Sequence, residues 1–342
     1  MRAVNWRAAT LNTAEHLGLW ALAQRLGEPD RQRLYVLTYH RVAEPNHRPD
    51  LDPDVLSATP AVFDAHMRFI ASHYQPVSAA EVLESLAGGR PLPRNAVLVT
   101  VDDGYRDFGE HIFPIAQRYG IQPVLFLATA YAEGGSFWWD RLYRSVQRTR
   151  LAGLHSPVGW LPLSSPTDRA LALRRLRAHV KRAPFTEAQT AVEAVCATLD
   201  PEPPPPEPAT LDWEALRTLV RAGATIANHT HTHPVLSHIP VEQARAEVRL
   251  AQALLQRELS QAWPLFAFPN GQRGAFDEAT VDVLRAEGFT LAFTSVEARA
   301  HLQRDARLSL PRLSAKPYPG LGALHLRLTP FYDWLKRRKK AR

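Results

Sequence analysis

Along most of the chain, short aliphatic runs alternate with longer segments whose apolar residues recur every three or four positions. Leu34-Tyr35-Val36-Leu37, Ala96-Val97-Leu98-Val99-Thr100-Val101 and Val124-Leu125-Phe126-Leu127-Ala128 predict strands buried on both faces, as in a parallel sheet. Residues 225–228, 265–268, 290–294 and 307–313 read the same way. Between them, residues 61–74, 79–87, 105–119, 213–221, 241–259 and 278–287 carry helical spacing, several stopped by glycines such as Gly88, Gly120 and Gly223. Strand, helix, strand at this spacing predicts parallel βα units and an α/β fold. Seven or eight such strands suit a closed or nearly closed barrel, a distorted (β/α)7-8 barrel with sites at the C-terminal strand ends.

The alternation breaks over residues 141–210. This stretch is helix-rich and dense in arginine, and it ends in the Pro-rich run 201–208, a stiff polyproline spacer. It reads as an insertion in a barrel spanning 33–330. Residues 1–32 read as a helical lead-in, and 331–342 as a basic tail.

Composition narrows the partners. The 342 residues carry a net charge of +7, yet no nucleic-acid-binding motif is present, and no nucleic acid partner is expected. The basic insertion and tail point instead to peripheral contact with anionic lipid. A single cysteine, Cys196, excludes a disulfide within the chain and a thiolate zinc cluster. No apolar run reaches the ~20 residues of a membrane span. The apolar stretch 17–23 is short and follows Glu15 and His16, which makes a poor signal peptide. The expected location is cytoplasmic, or peripheral to the cytoplasmic membrane.

Two stretches carry candidate chemistry. The strand 96–101 ends in Asp102-Asp103-Gly104, two adjacent carboxylates where an α/β barrel places its site. Neighbouring side chains on a strand point to opposite faces, so both acids reach one site only if the chain turns there, a freedom Gly104 supplies. The strand 225–228 runs into His229-Thr230-His231-Thr232-His233-Pro234. Four of the 14 histidines lie between 229 and 238, and imidazole is the common ligand of zinc and its neighbours. A continued strand would put His229 and His231 on one face; a turn would pair His229 with His233. Two histidines and one of the acids would form a three-ligand hydrolytic site, with the other acid free to take a proton.

Thr100-Val101-Asp102-Asp103-Gly104 and His229-Thr230-His231-Thr232-His233 resemble the first two motifs of the polysaccharide deacetylase family (the NodB-homology domain, carbohydrate esterase family 4), T-F-D-D-G and H-[ST]-x-x-H. The strand at 37–42, Phe137-Trp138-Trp139-Asp140 and Phe266-Ala267-Phe268-Pro269-Asn270-Gly271 add to the likeness in the family's order. The resemblance implies a NodB-type barrel and a hydrolase that removes N-acetyl groups from amino sugars of a glycan, glycolipid or cell-envelope polysaccharide. It implies Asp102 as base, Asp103, His229 and His233 as ligands of Zn2+ or of Co2+, Ni2+ or Fe2+, and Thr230 as a loop-fixing neighbour. His231 is left a structural role. Pro269 has no N–H, so the backbone donor to the oxyanion is Asn270 or Gly271, and the family favours Asn270.

Two features depart from the pattern. The family's third motif often begins with an arginine that tethers the base, and Ala267 stands at that position. The family's late acid histidine has a weak counterpart in Leu324-His325-Leu326. His325 is therefore the candidate acid, with His40, Trp138, Trp139 and Pro269 expected to line the substrate site. Two alternatives carry over: a non-catalytic carbohydrate-binding relative, and an amidohydrolase acting on a non-sugar C–N bond.

Overall fold

The computed structural model describes residues 32–45, 47–133, 135–200, 208–315 and 321–329, together with Thr13 and Tyr332. Most of the lead-in 1–32, the proline run 201–207 and nearly all of the tail 331–342 lie outside the described residues.

Seven parallel strands close into a barrel: β1 Arg33–Tyr39, β2 Ala96–Asp103, β3 Val124–Leu127, β4 Thr225–Asn228, β5 Leu265–Ala267, β6 Leu291–Glu297 and β7 Leu310–Ser314. Each strand pairs with the next in sequence, and β1 closes the ring by pairing β2 from Leu34↔Ala96 to Tyr39↔Val101 and β7 at Leu37↔Leu313. Two short strands extend the base: Ala300–His301 pairs antiparallel with Arg33 and Leu34, and Gln75–Pro76 pairs parallel with Ala96 and Val97.

Alternation along the strands separates two apolar layers. Leu34, Val36, Leu98, Phe126, Ala267 and Phe293 fill the barrel interior. Tyr35, Leu37, Tyr39, Val97, Val99 and Val101 face outward beneath the helices. Helix α1, Pro60–His73, shows why such a segment forms. Thr59 caps it by accepting from the Val62 N–H, Pro60 opens the first turn, and Phe63, Met67 and Ile70 make one buried stripe. Burial of each of these side chains contributes about 1.5–3 kcal/mol.

The continuous helix predicted over 105–119 is interrupted. Phe108–Ile112 forms a π-type turn before a short α-helix, Phe113–Arg118, and the Phe113 N–H bonds back to Phe108. Pro114 lacks an N–H and crowds the preceding turn, so the regular ladder cannot pass through it. The last strand begins later than 307, because Arg307–Ser309 is a 3-10 turn.

Between β3 and β4, helices α2 Trp138–Arg148, α3 Pro166–Val180 and α4 Phe185–Leu199 pack around their own apolar cluster of Leu142, Val146, Leu173, Leu176 and Val192. Ser165 and Asp168 form a reciprocal cap that starts α3. A β-hairpin, Gly153–Ser156 with Gly159–Pro162, completes this unit. Four-residue strands with mixed burial carry little periodicity, and the sequence pattern did not predict them. Helix α5, Val241–Leu259, follows β4, and α6, Leu321–Leu328, follows β7. No helix of the described residues is long and apolar enough to cross a membrane.

Candidate metal centre and acid pair

Asp102 and Asp103 end β2 at the C-terminal mouth of the barrel. Leu98 points inward, and Asp102 continues that parity. Asp103 does not follow it outward, because its backbone is left-handed, with φ 80°. Gly104 continues the turn at φ 104°, where a Cβ would lie 2.4 Å from Leu127 Cδ1. The chain therefore turns at Asp103 itself, and Gly104 accommodates the exit. Asp103, Thr230, His233 and Asn270 are all non-glycine residues with positive φ at this mouth. Such strain is sustained only where the surroundings over-determine it.

Those surroundings are specific around the histidine loop. Asn228 Oδ1 accepts from Thr230 N at 2.9 Å, and Thr230 Oγ1 accepts from His233 N at 3.1 Å. Glu247 of α5 accepts from the N–H groups of His231 and Thr232, at 2.9 and 2.7 Å, and from the Thr232 hydroxyl at 2.7 Å. His231 turns away to Thr129 Oγ1, 3.0 Å. His229 and His233 turn inward, with Nε2 atoms 3.6 and 3.4 Å from Asp103 Oδ1. The turn geometry, and not a continued strand, brings the pair together.

One carboxylate oxygen and two imidazole nitrogens lie within 4.8 Å of one another, all buried. This donor set suits a borderline divalent cation such as zinc. His229 Nδ1 lies 2.7 Å from the Ala267 carbonyl, which can only accept, so Nδ1 carries the proton and Nε2 presents a lone pair. Trp139 packs edge-on against His233 at 5.1 Å and fixes its ring plane. Burial raises the Asp103 pKa, but the His229 and His233 imidazoles beside it, in their protonated form, outweigh that and hold the carboxyl well below its usual range.

Asp102 has different company. Arg312, from β7, places Nη1 2.8 Å from Asp102 Oδ1 and Nη2 2.6 Å from Oδ2. The guanidinium is fully buried and also donates to the Thr294 carbonyl and the Thr100 hydroxyl. Burial works against the Asp102 charge, and the positive Arg312 beside it, helped by His229 and His40, holds its pKa below the ordinary value. The tether that Ala267 does not provide comes from another strand. Position 267 points into the barrel interior, and an arginine reaching up from β7 serves the same carboxylate.

The remaining predicted residues separate. His40 follows β1 directly, is half-buried, and its charge acts on both acids. Trp138 lines a cleft beside His233 and Asn270. Trp139 is buried, donates Nε1–H to Tyr105 Oη at 2.7 Å, and touches His233, so it braces that ring. Tyr105 in turn donates to buried Asp140, whose pKa burial pushes up to about 7. Pro269 is buried, and its carbonyl accepts from Gly271 N at 2.7 Å. The adjacent Asn270 is left-handed at φ 59°, half-buried at the cleft. At Gly271 a Cβ would sit 2.6 Å from Ser295 N, so only glycine allows this turn to lie against β6.

His325 is not brought to the acids. It packs on Phe69 and Tyr74, with ring centroids 4.8 and 6.3 Å apart. Tyr74 precedes the base strand that pairs Ala96, at the opposite end of β2 from Asp102. At about 3.3 Å per residue that is roughly 20 Å away. Helix α6 lies outside the barrel against α1, so an L-x-H match there contributes packing.

Sequence reasoning missed Arg312 and Glu247. A lone arginine in the aliphatic run Leu310-Pro311-Arg312-Leu313 was a readable signal, because a charge inside a buried strand requires a partner. Glu247 shares its helix face with Ala244, Val248 and Ala251, and one acid on an apolar stripe is a weaker version of the same signal.

Comparison with known proteins agrees with this geometry. The fold is similar to that of the Streptococcus pyogenes deacetylase PplD, solved in complex with acetate, with a TM-score of 0.60, 17% identity, and coverage of 87% of this chain and 99% of that one. It is also similar to IcaB from Ammonifex degensii, at a TM-score of 0.55 and 18% identity over 86% of this chain and 97% of that one. In sequence, 46 residues are 52% identical to the poly-beta-1,6-N-acetyl-D-glucosamine N-deacetylase of Escherichia coli K12, a match spanning 14% of this chain and only 7% of that protein. The profile of the polysaccharide deacetylase family matches residues 89–292, well over half of the chain, and with the acid pair and histidine loop inside that span the chain belongs to this family.

Proposed function

We propose that the protein is a metal-dependent hydrolase of non-peptide C–N bonds that removes N-acetyl groups from amino sugars of a glycan, glycolipid or envelope polysaccharide. The observation that carries the reading is the different company of two adjacent carboxylates: Asp103 with two imidazole nitrogens, Asp102 with a guanidinium. A pure binding protein has no use for that division.

Asp103, His229 and His233 would hold the cation, zinc or a similar divalent transition metal. When bound, such an ion polarises an acetamide carbonyl and makes a water more acidic. Asp102 takes the proton from the attacking water, and Arg312 keeps its carboxylate ionised and aimed. The Asn270 N–H, without a partner among the described residues, donates to the oxyanion that develops on the carbonyl. The leaving amine needs a proton, and His40, which follows β1 at the barrel mouth, would give it. The name of the E. coli relative supports an N-acetylglucosamine polymer as the substrate class.

Acetate release from an N-acetylglucosamine oligomer, with zinc or cobalt supplied, tests the reading. Wild type should release acetate and Asp102→Ala should not. No release from any N-acetylated amino sugar overturns the proposal.

A further inference from the structure

The two imidazoles that face Asp103 are held in different ways. His229 is anchored through Nδ1, 2.7 Å from the Ala267 carbonyl. His233 has no such anchor: its Nδ1 is buried and has no hydrogen-bond partner among the described residues. Ligating histidines ordinarily take their ring orientation from a group on the second nitrogen. At His233 neighbouring rings take that place. Trp139 stands edge-on to it at 5.1 Å and Phe137 at 5.9 Å, and these two stack on each other at 4.4 Å with their planes 10° apart.

Packing fixes a ring only as well as the packing partner is itself fixed, and the indole is fixed by a buried polar chain. Trp139 Nε1–H donates to Tyr105 Oη at 2.7 Å, and Tyr105 donates to Asp140 Oδ2 at 2.6 Å. Asp140 Oδ1 accepts from the Asp52 N–H at 2.8 Å, so both of its oxygens are used. Asp52 is in turn paired with Arg177 of α3, Nη2 to Oδ2 at 2.5 Å. Tyr105 and Asp140 are almost fully buried. Burial, with the Asp140 charge beside it, pushes the Tyr105 pKa up and keeps the hydroxyl a donor. Trp139 and Asp140 are neighbours in the first turn of α2, and Tyr105 follows Gly104 on the turn that carries Asp103. The hydroxyl therefore ties the turn of one donor to the helix that seats another.

We infer that Tyr105 and Asp140 are positioning residues for His233, holding the Trp139 indole against an imidazole whose Nδ1 has no hydrogen bond. That role rests on the reading of Asp103, His229 and His233 as a cation site. A buried tyrosine–carboxylate pair that served only the folding of the insertion would affect stability and leave the donor set unchanged.

Zinc and cobalt affinities of the full chain are measured by competition with a chromophoric chelator, beside urea unfolding and the visible spectrum of bound cobalt. Tyr105→Phe keeps the ring and removes both hydrogen bonds of the hydroxyl. It should weaken each cation about tenfold and shift the cobalt absorption bands, which report ligand geometry. Asp140→Leu should do the same, and the double variant should lose about as much as either alone, because both act through one indole. Val146→Ala opens a gap in the apolar core beneath the same helix. It should lower the urea midpoint and leave affinity and spectrum at wild type. Wild-type affinity and spectrum in Tyr105→Phe overturn the inference, as do equal affinity losses in Tyr105→Phe and Val146→Ala, which make the pair structural. A wild-type chain that takes up neither cation overturns both the positioning role and the cation site. A tenfold loss in Tyr105→Phe, with no acetate released by wild type from any N-acetylated amino sugar, upholds the positioning role and counts against the deacetylase reading.

Discussion

Arg312 and Asp102, 210 positions apart in the chain, meet through two parallel hydrogen bonds of 2.8 and 2.6 Å. Both are almost fully buried, so the pair is held in a medium where neither charge is tolerated alone. One residue ends the second barrel strand and the other lies in the seventh. The Asp102 carboxylate is therefore oriented only once the whole barrel has closed. Two oxygens fixed by one planar fork leave little freedom to rotate, which suits a group that must meet a proton along one direction.

Replacing the fork tests that relationship. Arg312→Ala leaves Asp102 buried without its cation, at a cost of about 3–5 kcal/mol in stability. Arg312→Lys keeps a charge but not the bidentate grip. In Arg312→Lys, kcat should fall about 10²-fold from misorientation of the base. The Asp102 pKa, held down in part by Arg312, should rise, moving the acidic limb of the kcat/KM profile to higher pH. A folded Arg312→Lys protein with an unshifted acidic limb would show that Arg312 is structural alone.

Much of this arrangement was legible in the sequence because it depends on local pattern. The aliphatic run before Asp102 and the helical spacing of 241–259 each bury a periodic face, and periodicity survives in one dimension. The His229–His233 pairing came through resemblance, since spacing alone also allowed His231. What the sequence did not show was non-local or defined by exposure. Arg312 replaces a missing tether from a distant strand, and no local rule connects it to Ala267. His325 matched a short motif, but its meaning depended on which end of the barrel α6 docks against.

Glu247 lies outside the candidate donor set, yet it fixes the loop that carries two of its three members. Its carboxylate accepts from two backbone N–H groups and one hydroxyl. Glu247→Ala should weaken zinc or cobalt binding by about 10–100-fold while leaving all three ligands present. Competition with a chromophoric chelator measures this directly. Asp102→Asn should bind the metal as wild type does, because Asp102 lies outside the donor set. Equal losses in both variants would contradict the division of roles.

His40 and His325 should behave in opposite ways. His325 is buried against Phe69 and Tyr74, so His325→Ala should cost about 2–3 kcal/mol of stability by opening a cavity. Acetate release by the folded fraction should remain near wild type. His40→Ala, at a half-buried mouth position, should leave the melting temperature nearly unchanged and lower kcat by about 10²-fold or more if it supplies the amine's proton. Loss of turnover in His325→Ala at wild-type stability would reverse the assignment.

His66 provides a pH test away from the metal centre. It lies in α1, 2% exposed, with Nδ1 3.0 Å from the Tyr39 hydroxyl and Nε2 without a partner among the described residues. Burial pushes its pKa down from 6.5 to about 4. The folded chain therefore keeps His66 neutral at pH values where the unfolded chain binds a proton. More protons on the unfolded state means that stability rises with pH across this window. The contribution is fully present above about pH 6.5 and is lost as pH falls toward 4, up to roughly 3 kcal/mol. His66→Phe cannot take up the proton, so its urea unfolding free energy should depend less steeply on pH between 4 and 6.5, by the equivalent of one proton. A His66 ring resonance that titrates near 6.5 in the folded protein would rule the account out.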